Sequence, residues 1–516
     1  MKTTFVVAAG MTALIGLPAF AADLPVKTPS PAPAAHGINW TGFYVFGGAG
    51  GGLWNAESNV VASGRPGFPD GTAFSHDQRL GGSGWFGTVG LGYDWQFNTN
   101  WVAGAFADAQ LGKIRGSIAD PLTFLGLTTE GRETMRTSWA AGARLGYLVA
   151  PNVLSYVNAG YSRSEWSGAE YSSLPTGIVP GNLFATPSFH RDGWFVGGGV
   201  ENSLDLFGLA TPGWFMKTEY RAAYYDRAIL PGTISLAGML GPTGSPTTTA
   251  DTFKPWVQTI STSLVYRFNS DRPMAAAPTY TKAPSPVMAT NWSGVYLFGG
   301  GGGGLWAADS SIVTVPGLAP LSRDQRLGGS GWFGTVGAGY DWQFGSKWVA
   351  GLFADGQFGN IHGSITDPAI FFSTFEGQEK LRTSYAAGAR LGYLVAPNVL
   401  SYVNAGYSGS DWSGASYLNL SAGGGGRVVF FTTPSFHRDG WFVGGGVENS
   451  VNILGVAAKG WFMKTEYRAA YYDRATAPET NAAFAFFGPA GTPTGNAVAF
   501  KPWTQTISTS LVYRFN

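Results

Sequence analysis

"LVYRFN" stands at Leu264–Asn269 and again at Leu511–Asn516. An alternating segment that closes on an aromatic reads as a terminal β-strand. Leu264, Tyr266 and Phe268 fall on one face of it, Val265 and Arg267 on the other. Finding this ending in mid-chain implies that a complete structural unit stops there.

The rest of the chain supports that reading. "RLGGSGWFGTVG" occurs at Arg79–Gly90 and Arg326–Gly337, and "ARLGYLVAPNVLSYVNAGYS" at Ala143–Ser162 and Ala389–Ser408. "TPSFHRDGWFVGGGVENS" occurs at Thr186–Ser203 and Thr433–Ser450, and "WFMKTEYRAAYYDRA" at Trp214–Ala228 and Trp461–Ala475. The spacing between copies is 246 or 247 residues. Solenoid and propeller repeats run to about 20–50 residues, so this is duplication of a whole domain.

Composition narrows the class. Of 516 residues only 12% are charged, 15% are aromatic and 77 are glycine. Apolar side chains in that proportion suit a chain whose outer surface does not face water. There is no cysteine, which excludes disulfides and thiolate metal sites, and a net charge of +1 gives no nucleic-acid footprint. Lys2, the apolar run Phe5–Pro18 and Ala19-Phe20-Ala21 read as a cleavable signal peptide over residues 1–21. No later stretch reaches the ~18 uninterrupted apolar residues of a membrane helix.

The expected organisation follows. Residues 22–38 form an Ala/Pro-rich periplasmic linker, 39–269 a first barrel, 270–290 a second Ala/Pro-rich linker and 291–516 a second barrel. Eight alternating segments are expected in copy one, roughly 42–55, 84–97, 101–118, 133–149, 153–168, 193–205, 213–226 and 255–268. Their connections alternate short and long, as in a transmembrane barrel with turns on one side and loops on the other. Aromatics near the strand ends suggest two belts: Tyr93, Trp95, Trp101, Tyr147, Trp214 and Tyr266 on the turn side, and Trp85, Trp166, Trp194, Tyr225 and Trp256 on the loop side. The expected fold is all-β: a transmembrane antiparallel β-barrel, as two tandem eight-stranded barrels, with one sixteen-stranded barrel as the alternative.

The openings "NWTGFYVFGGAGGGLW" (Asn39–Trp54) and "NWSGVYLFGGGGGGLW" (Asn291–Trp306), the "ARLGY" strands, the "YRF" endings and "ADLP" at Ala22–Pro25 resemble the alphaproteobacterial outer-membrane immunogenic, porin-like barrel family. The resemblance spans each copy, and the tandem arrangement departs from the family's usual single unit. It implies an integral protein of the outer membrane with a structural or surface-interaction role in the envelope. It further implies that the strand ends Tyr266, Phe268, Tyr513 and Phe515 are read by the barrel insertion machinery. Expected partners are outer-membrane lipid and lipopolysaccharide, that machinery, and host or envelope components reached by the long loops. No nucleic acid and no cofactor is expected. The alternatives are a sixteen-stranded diffusion porin and a haemin-binding surface protein.

Alternation places a set of charges inward. In copy one these are Asp94, Asp108, Glu201 and Glu219 with Arg136, Arg144, Lys217, Arg221 and Arg267. In copy two they are Asp341, Asp355, Glu448 and Glu466 with Arg382, Arg390, Lys464, Arg468 and Arg514. The side chains of an eight-stranded barrel just fill its interior, where charges must pair. The set reads first as a neutralising network, next as a wet pore lining, and last as a catalytic acid–base pair. Gly82–Gly87 fits GxGxxG without the flanking strand and helix of a nucleotide site. "HRDG" at His190–Gly193 and His437–Gly440 lacks the partners of a kinase loop, and its single histidine per copy makes a thin haem ligand set. No catalytic or metal constellation stands out.

Overall fold

The computed structural model describes residues 38–123, 127–177, 179–206, 209–236, 241–268, 291–368, 374–421, 428–451, 459–482 and 488–515. The expected signal peptide, nearly all of the leading linker and the 270–290 linker lie outside these residues.

Among the described residues the first copy forms β1 (Gly42–Ser58), β2 (Val60–Ala62), β3 (Gln78–Gln96), β4 (Trp101–Thr123), β5 (Leu127–Ala150), β6 (Val153–Trp166), β7 (Glu170–Ser173), β8 (Asn182–Ala185), β9 (Phe189–Leu206), β10 (Leu209–Tyr225), β11 (Ala228–Ile234) and β12 (Pro246–Arg267). The second copy forms β13 (Gly294–Thr314), β14 (Gln325–Phe344), β15 (Trp348–Asp367), β16 (Phe375–Ala396), β17 (Val399–Trp412), β18 (Ser416–Asn419), β19 (Val429–Thr432), β20 (Phe436–Ser450), β21 (Trp461–Tyr472), β22 (Ala475–Asn481) and β23 (Pro493–Arg514).

In copy one the antiparallel order β1–β3–β4–β5–β6–β9–β10–β12 returns to its start, because β12 pairs with β1 from Tyr44 opposite Arg267 to Glu57 opposite Lys254. Copy two closes in the same way through β13–β14–β15–β16–β17–β20–β21–β23, with Tyr296 opposite Arg514. These are two eight-stranded rings. A sixteen-stranded wall would instead join β1 to β23 and β12 to β13. Among the described residues each wall strand is paired on both sides through the lipid-facing stretch, the condition for spanning lipid with strands, and beyond it Leu80 of β3 pairs with Leu327 of β14 across the two rings.

Alternation sets the two faces of the wall. On β3, Trp85, Val89, Leu91, Tyr93 and Trp95 are exposed, while Phe86, Thr88 and Asp94 are buried. Ten residues separate Trp85 from Trp95. That is about 33 Å along the strand and about 25 Å of height at the ~40° tilt of such barrels, the height of an outer-membrane apolar band. Trp139, Tyr161 and Trp194 stand outward at the loop-side limit of this band. Trp166 and Tyr225, expected in that belt, are buried inside the barrel instead. Narrow curvature crowds the interior, and glycine relieves it: a Cβ at Gly90 would stand 2.5 Å from the Phe46 ring of the neighbouring strand.

Past the band, the wall strands continue into a collar. There β7 pairs with β5 and β8, β8 with β11, and β11 and β2 with β12. The collar of copy two repeats this with β18, β19 and β22. Aromatic rings pack inside it, with Tyr171 stacked on Phe184 and Tyr417 on Phe431.

Candidate functional site: the barrel interiors

The inward charges of copy one separate into two tiers. Nearer the short turns, Arg144 and Arg267 enclose Asp94 and Glu201. Arg144 donates through Nε to Asp94 at 2.9 Å and through Nη1 to Glu201 at 3.1 Å, and its Nη2 also meets Asp94. Arg267 donates through Nε to Glu201 and through Nη2 to Asp94, both at 2.7 Å. Trp40 lids this tier. The guanidinium of Arg267 lies 4.5 Å from the centre of its ring, and its indole N–H donates to the Pro151 carbonyl at 3.2 Å.

The second tier lies toward the loops. Arg221 holds Asp108 with two bonds of 2.9 and 2.6 Å and reaches Glu219 at 2.8 Å. Glu219 also receives Lys217 at 3.5 Å and the Tyr156 hydroxyl at 2.8 Å. Lys217 rests 3.3 Å from the centre of the Phe46 ring. Beyond this tier the lumen is filled by Trp54, Trp166, Phe189 and Phe253, whose rings meet at 5.0–6.1 Å.

Copy two repeats both tiers. Asp341 and Glu448 lie between Arg390 and Arg514 beneath Trp292. Arg468 grips Asp355 at 2.8 and 2.6 Å and reaches Glu466, which also meets Lys464 and Tyr402. The glutamates, aspartates, arginines and lysines of these tiers are all buried.

Two expected members are not there. Arg136 and Arg382 are exposed on the outer surface. In β5 the register shifts between Met135 and Thr137, and in β16 between Leu381 and Thr383. The extra residue of a bulge reverses the alternation, so each arginine leaves the lumen. What remains is four carboxylates against four cations per barrel, a balanced set. Alternation missed the lids Trp40 and Trp292 because they precede their first strands, although "NWTG" and "NWSG" repeat them. The tyrosines Tyr156 and Tyr402 share the inward parity of their strands, a signal that was present in the sequence.

His190 and His437 lie at the starts of β9 and β20. His437 contacts Asp411 at 2.9 Å and Asp439 at 3.2 Å on the outer surface, away from the lumen tiers. Tyr266 and Tyr513 lie next to the last residues of β12 and β23, with Phe268 and Phe515 just beyond the strands, and Phe268, Tyr513 and Phe515 are exposed.

Buried carboxyls also occur in the collar. Glu133 accepts from the Thr134 N–H at 3.1 Å, Ser167 Oγ at 3.0 Å and the Gly168 N–H at 3.1 Å, yet burial pushes it up to about 7. Glu379 has the matching partners in copy two and is likewise raised to about 7. Burial, reinforced by the charge of Asp120, holds Asp251 well above the usual carboxylate range. Glu479 is raised in the same way beside Asp367.

A family model described as "Outer membrane protein beta-barrel domain" matches residues 28–268 and again 273–515. The chain belongs to the outer-membrane β-barrel family. Among curated relatives it is similar to the 31 kDa outer-membrane immunogenic proteins of Brucella melitensis and Brucella suis, 29% identical over 229 residues, covering 42% of this chain and 84% of each relative. The residues place it as an integral protein of the outer membrane, with two copies of the family's domain. Solved structures that align with it include a FadL homologue of Pseudomonas aeruginosa, over 92% of this chain and 91% of that one, at 11% identity and a TM-score of 0.25. Ail of Yersinia pestis aligns over 43% of this chain and 99% of its own, at 15% identity and a TM-score of 0.18. At such scores the superpositions add nothing to the family assignment.

Proposed function

We propose that this chain is a two-barrel surface protein of the outer membrane, which acts through its collars and outer walls and does not conduct solutes through its lumens. The observation that carries this reading is the filling of both interiors. A diffusion channel needs a continuous wet path. Each lumen instead stacks a tryptophan lid, two tiers of ion pairs with direct contacts of about 3 Å or less for most members, and a cluster of aromatic rings. Buried ion pairs exchange hydration for one another, so a wet path would require these paired side chains and the aromatic cluster beyond them to separate and rearrange. The carboxylates of the lumen tiers are all matched with bases, which leaves these tiers no unpaired acid or base for catalysis. The long collar, in contrast, puts paired backbone and apolar side chains well beyond the lipid band. Such a platform suits contact with envelope or host components.

Planar-bilayer recording of the refolded mature chain tests the proposal. Baseline current with rare, small events is expected. Stable conductance of porin size would overturn it and restore the diffusion-channel reading.

A further inference from the structure

We propose that the seam between the two barrels is a self-recognition face: each barrel carries the whole of it, and the partner it fits is a second copy of the same barrel unit. The contacts come in reciprocal pairs. The Arg79 N–H donates to Ser364 Oγ at 2.8 Å, and the equivalent Arg326 N–H donates to the equivalent Ser117 Oγ at 2.8 Å. Arg79 Nη1 donates to the His362 carbonyl at 2.9 Å, and Arg326 Nη1 to the Arg115 carbonyl at 3.3 Å. In the collar, the His76 N–H donates to the Leu420 carbonyl and the Arg323 N–H to the Leu174 carbonyl, both at 3.0 Å. Ser75 bridges to Ser421 as Pro175 does to Ser322.

Other residues meet their own counterparts. Leu80 pairs with Leu327, and Thr128 shares a hydroxyl hydrogen bond with Thr374. Leu53 packs with Leu305 between Trp256 and Trp503, and Val153 with Val399 at the short-turn end. Residue i meeting j, while the counterpart of j meets that of i, is the signature of an isologous two-fold interface. Residues that pair with themselves mark its axis. The row from Thr128 through Leu80 and Leu53 to Val153 extends from collar to turns, so the pseudo-axis runs along the barrels. An isologous face is complete after one partner, so the tethered pair closes on itself and does not propagate.

Two contacts are one-sided, made in only one of the two directions across the seam. Asn55 Nδ2 donates to the Gly329 carbonyl at 2.5 Å, whereas its counterpart is Ala307. Arg323 adds bonds of 3.2 Å to the carbonyls of Ser172 and Ser173, where copy one has His76. Tethering raises the effective concentration of the unlike partner, which is what selects it in the intact chain. The reciprocal contacts remain when two first copies meet, and Asn55 then serves both sides. Like pairs should therefore form once the tether is cut and the unlike partner can leave.

The chain has no native cysteine, and residues paired as Leu80 and Leu327 are lie within the Cα range of a disulfide. The test uses the full chain with a protease site placed in the 270–290 linker. With the linker intact, Leu80→Cys with Leu327→Cys should oxidise within one chain, and Leu80→Cys alone should give almost no dimer. After cleavage and exchange in detergent, Leu80→Cys alone should give a disulfide-linked pair of first-copy halves. Thr128→Cys with Thr374→Cys repeats the measurement in the collar if either leucine variant fails to refold. Absence of the intrachain link in both double variants would overturn the seam. Cleaved Leu80→Cys halves that stay unlinked, while the double variant links, would overturn self-recognition. Neither result depends on whether the lumens conduct.

Discussion

Arg221 and Asp108 face each other across the lumen of the first barrel and share two hydrogen bonds of 2.9 and 2.6 Å. The same guanidinium holds Glu219 at 2.8 Å, so one arginine joins two acids that lie on different strands. Removing Glu219 would leave Lys217 without its direct ion pair and take the hydroxyl of Tyr156 off its acceptor. Breaking a buried pair from one side costs about 3–5 kcal/mol. Glu219→Ala should therefore lower the unfolding free energy of copy one by that amount, read as a fall in its urea midpoint, and Glu466→Ala should do the same to copy two. A midpoint within error of the parent chain would mean that these tiers are hydrated.

Arg136 provides the contrast. It stands outside the barrel on a bulge, exposed, and its loss strands no acid in the lumen. Arg136→Ala should change stability by no more than about 0.5 kcal/mol, the usual range for surface substitutions. A loss comparable with that of Glu219→Ala in the same titration would return Arg136 to the interior.

These two residues also show what a sequence can reveal of such a protein. Period-two alternation is enforced by the wall itself, so Asp94, Asp108, Arg144, Glu201, Lys217, Glu219, Arg221 and Arg267 can be read as inward without a structure. A bulge adds one residue without changing composition, and nothing near Arg136 announces it. Trp166 shares the parity of the buried Ser162 and Ser164, and Tyr225 that of Glu219 and Arg221. For those two the alternation carried the answer, and the assumption that aromatics at strand ends belong to the belt obscured it. The seam was not legible at all. Outward residues that meet lipid and outward residues that meet a second barrel are both apolar, and only position separates the buried Leu53 from the exposed Leu91.

The collar should respond to pH. Glu133 and Glu379 sit outside the lipid band, and burial raises their pKa values from the ordinary 4.5 to about 7. For a carboxyl raised in the folded state, the native collar binds more protons than the unfolded chain between those values. Stability therefore falls as pH rises from about 4.5 to 7 and levels off above, by roughly 3 kcal/mol for each group. Amide hydrogen exchange of β5 and β16 collar residues, followed from pH 5 to 8 after correction for intrinsic rates, should show protection declining over that range. Glu133→Gln should make the profile shallower for copy one alone, with Asp251 supplying part of what remains. Protection that rises with pH would reverse the assignment.

The last prediction concerns Gly81. A Cβ at this position would stand 2.5 Å from the Leu327 carbonyl oxygen and 3.0 Å from its carbon, and its nearest neighbours all belong to the second barrel. Gly328 occupies the equivalent place, with the Leu80 carbonyl 3.0 Å from a built Cβ and the Asn55 side chain closer still. Backbones that approach this closely leave no room for a methyl group, so a pair of glycines in "RLGG" is required by the seam and not by the wall. Overpacking of this kind costs roughly 1–3 kcal/mol, and here the strain can be relieved by separating the barrels. Gly81→Ala should thus leave copy one folded and heat-modifiable on detergent gels while slowing oxidation of the Thr128→Cys/Thr374→Cys pair several-fold. Gly82→Ala is the opposing control, because its Cβ would collide with the Trp54 ring inside the barrel. That variant should lose copy-one stability itself. If Gly81→Ala oxidises at the parent rate, the two barrels do not approach each other as closely as Leu80 and Leu327 require.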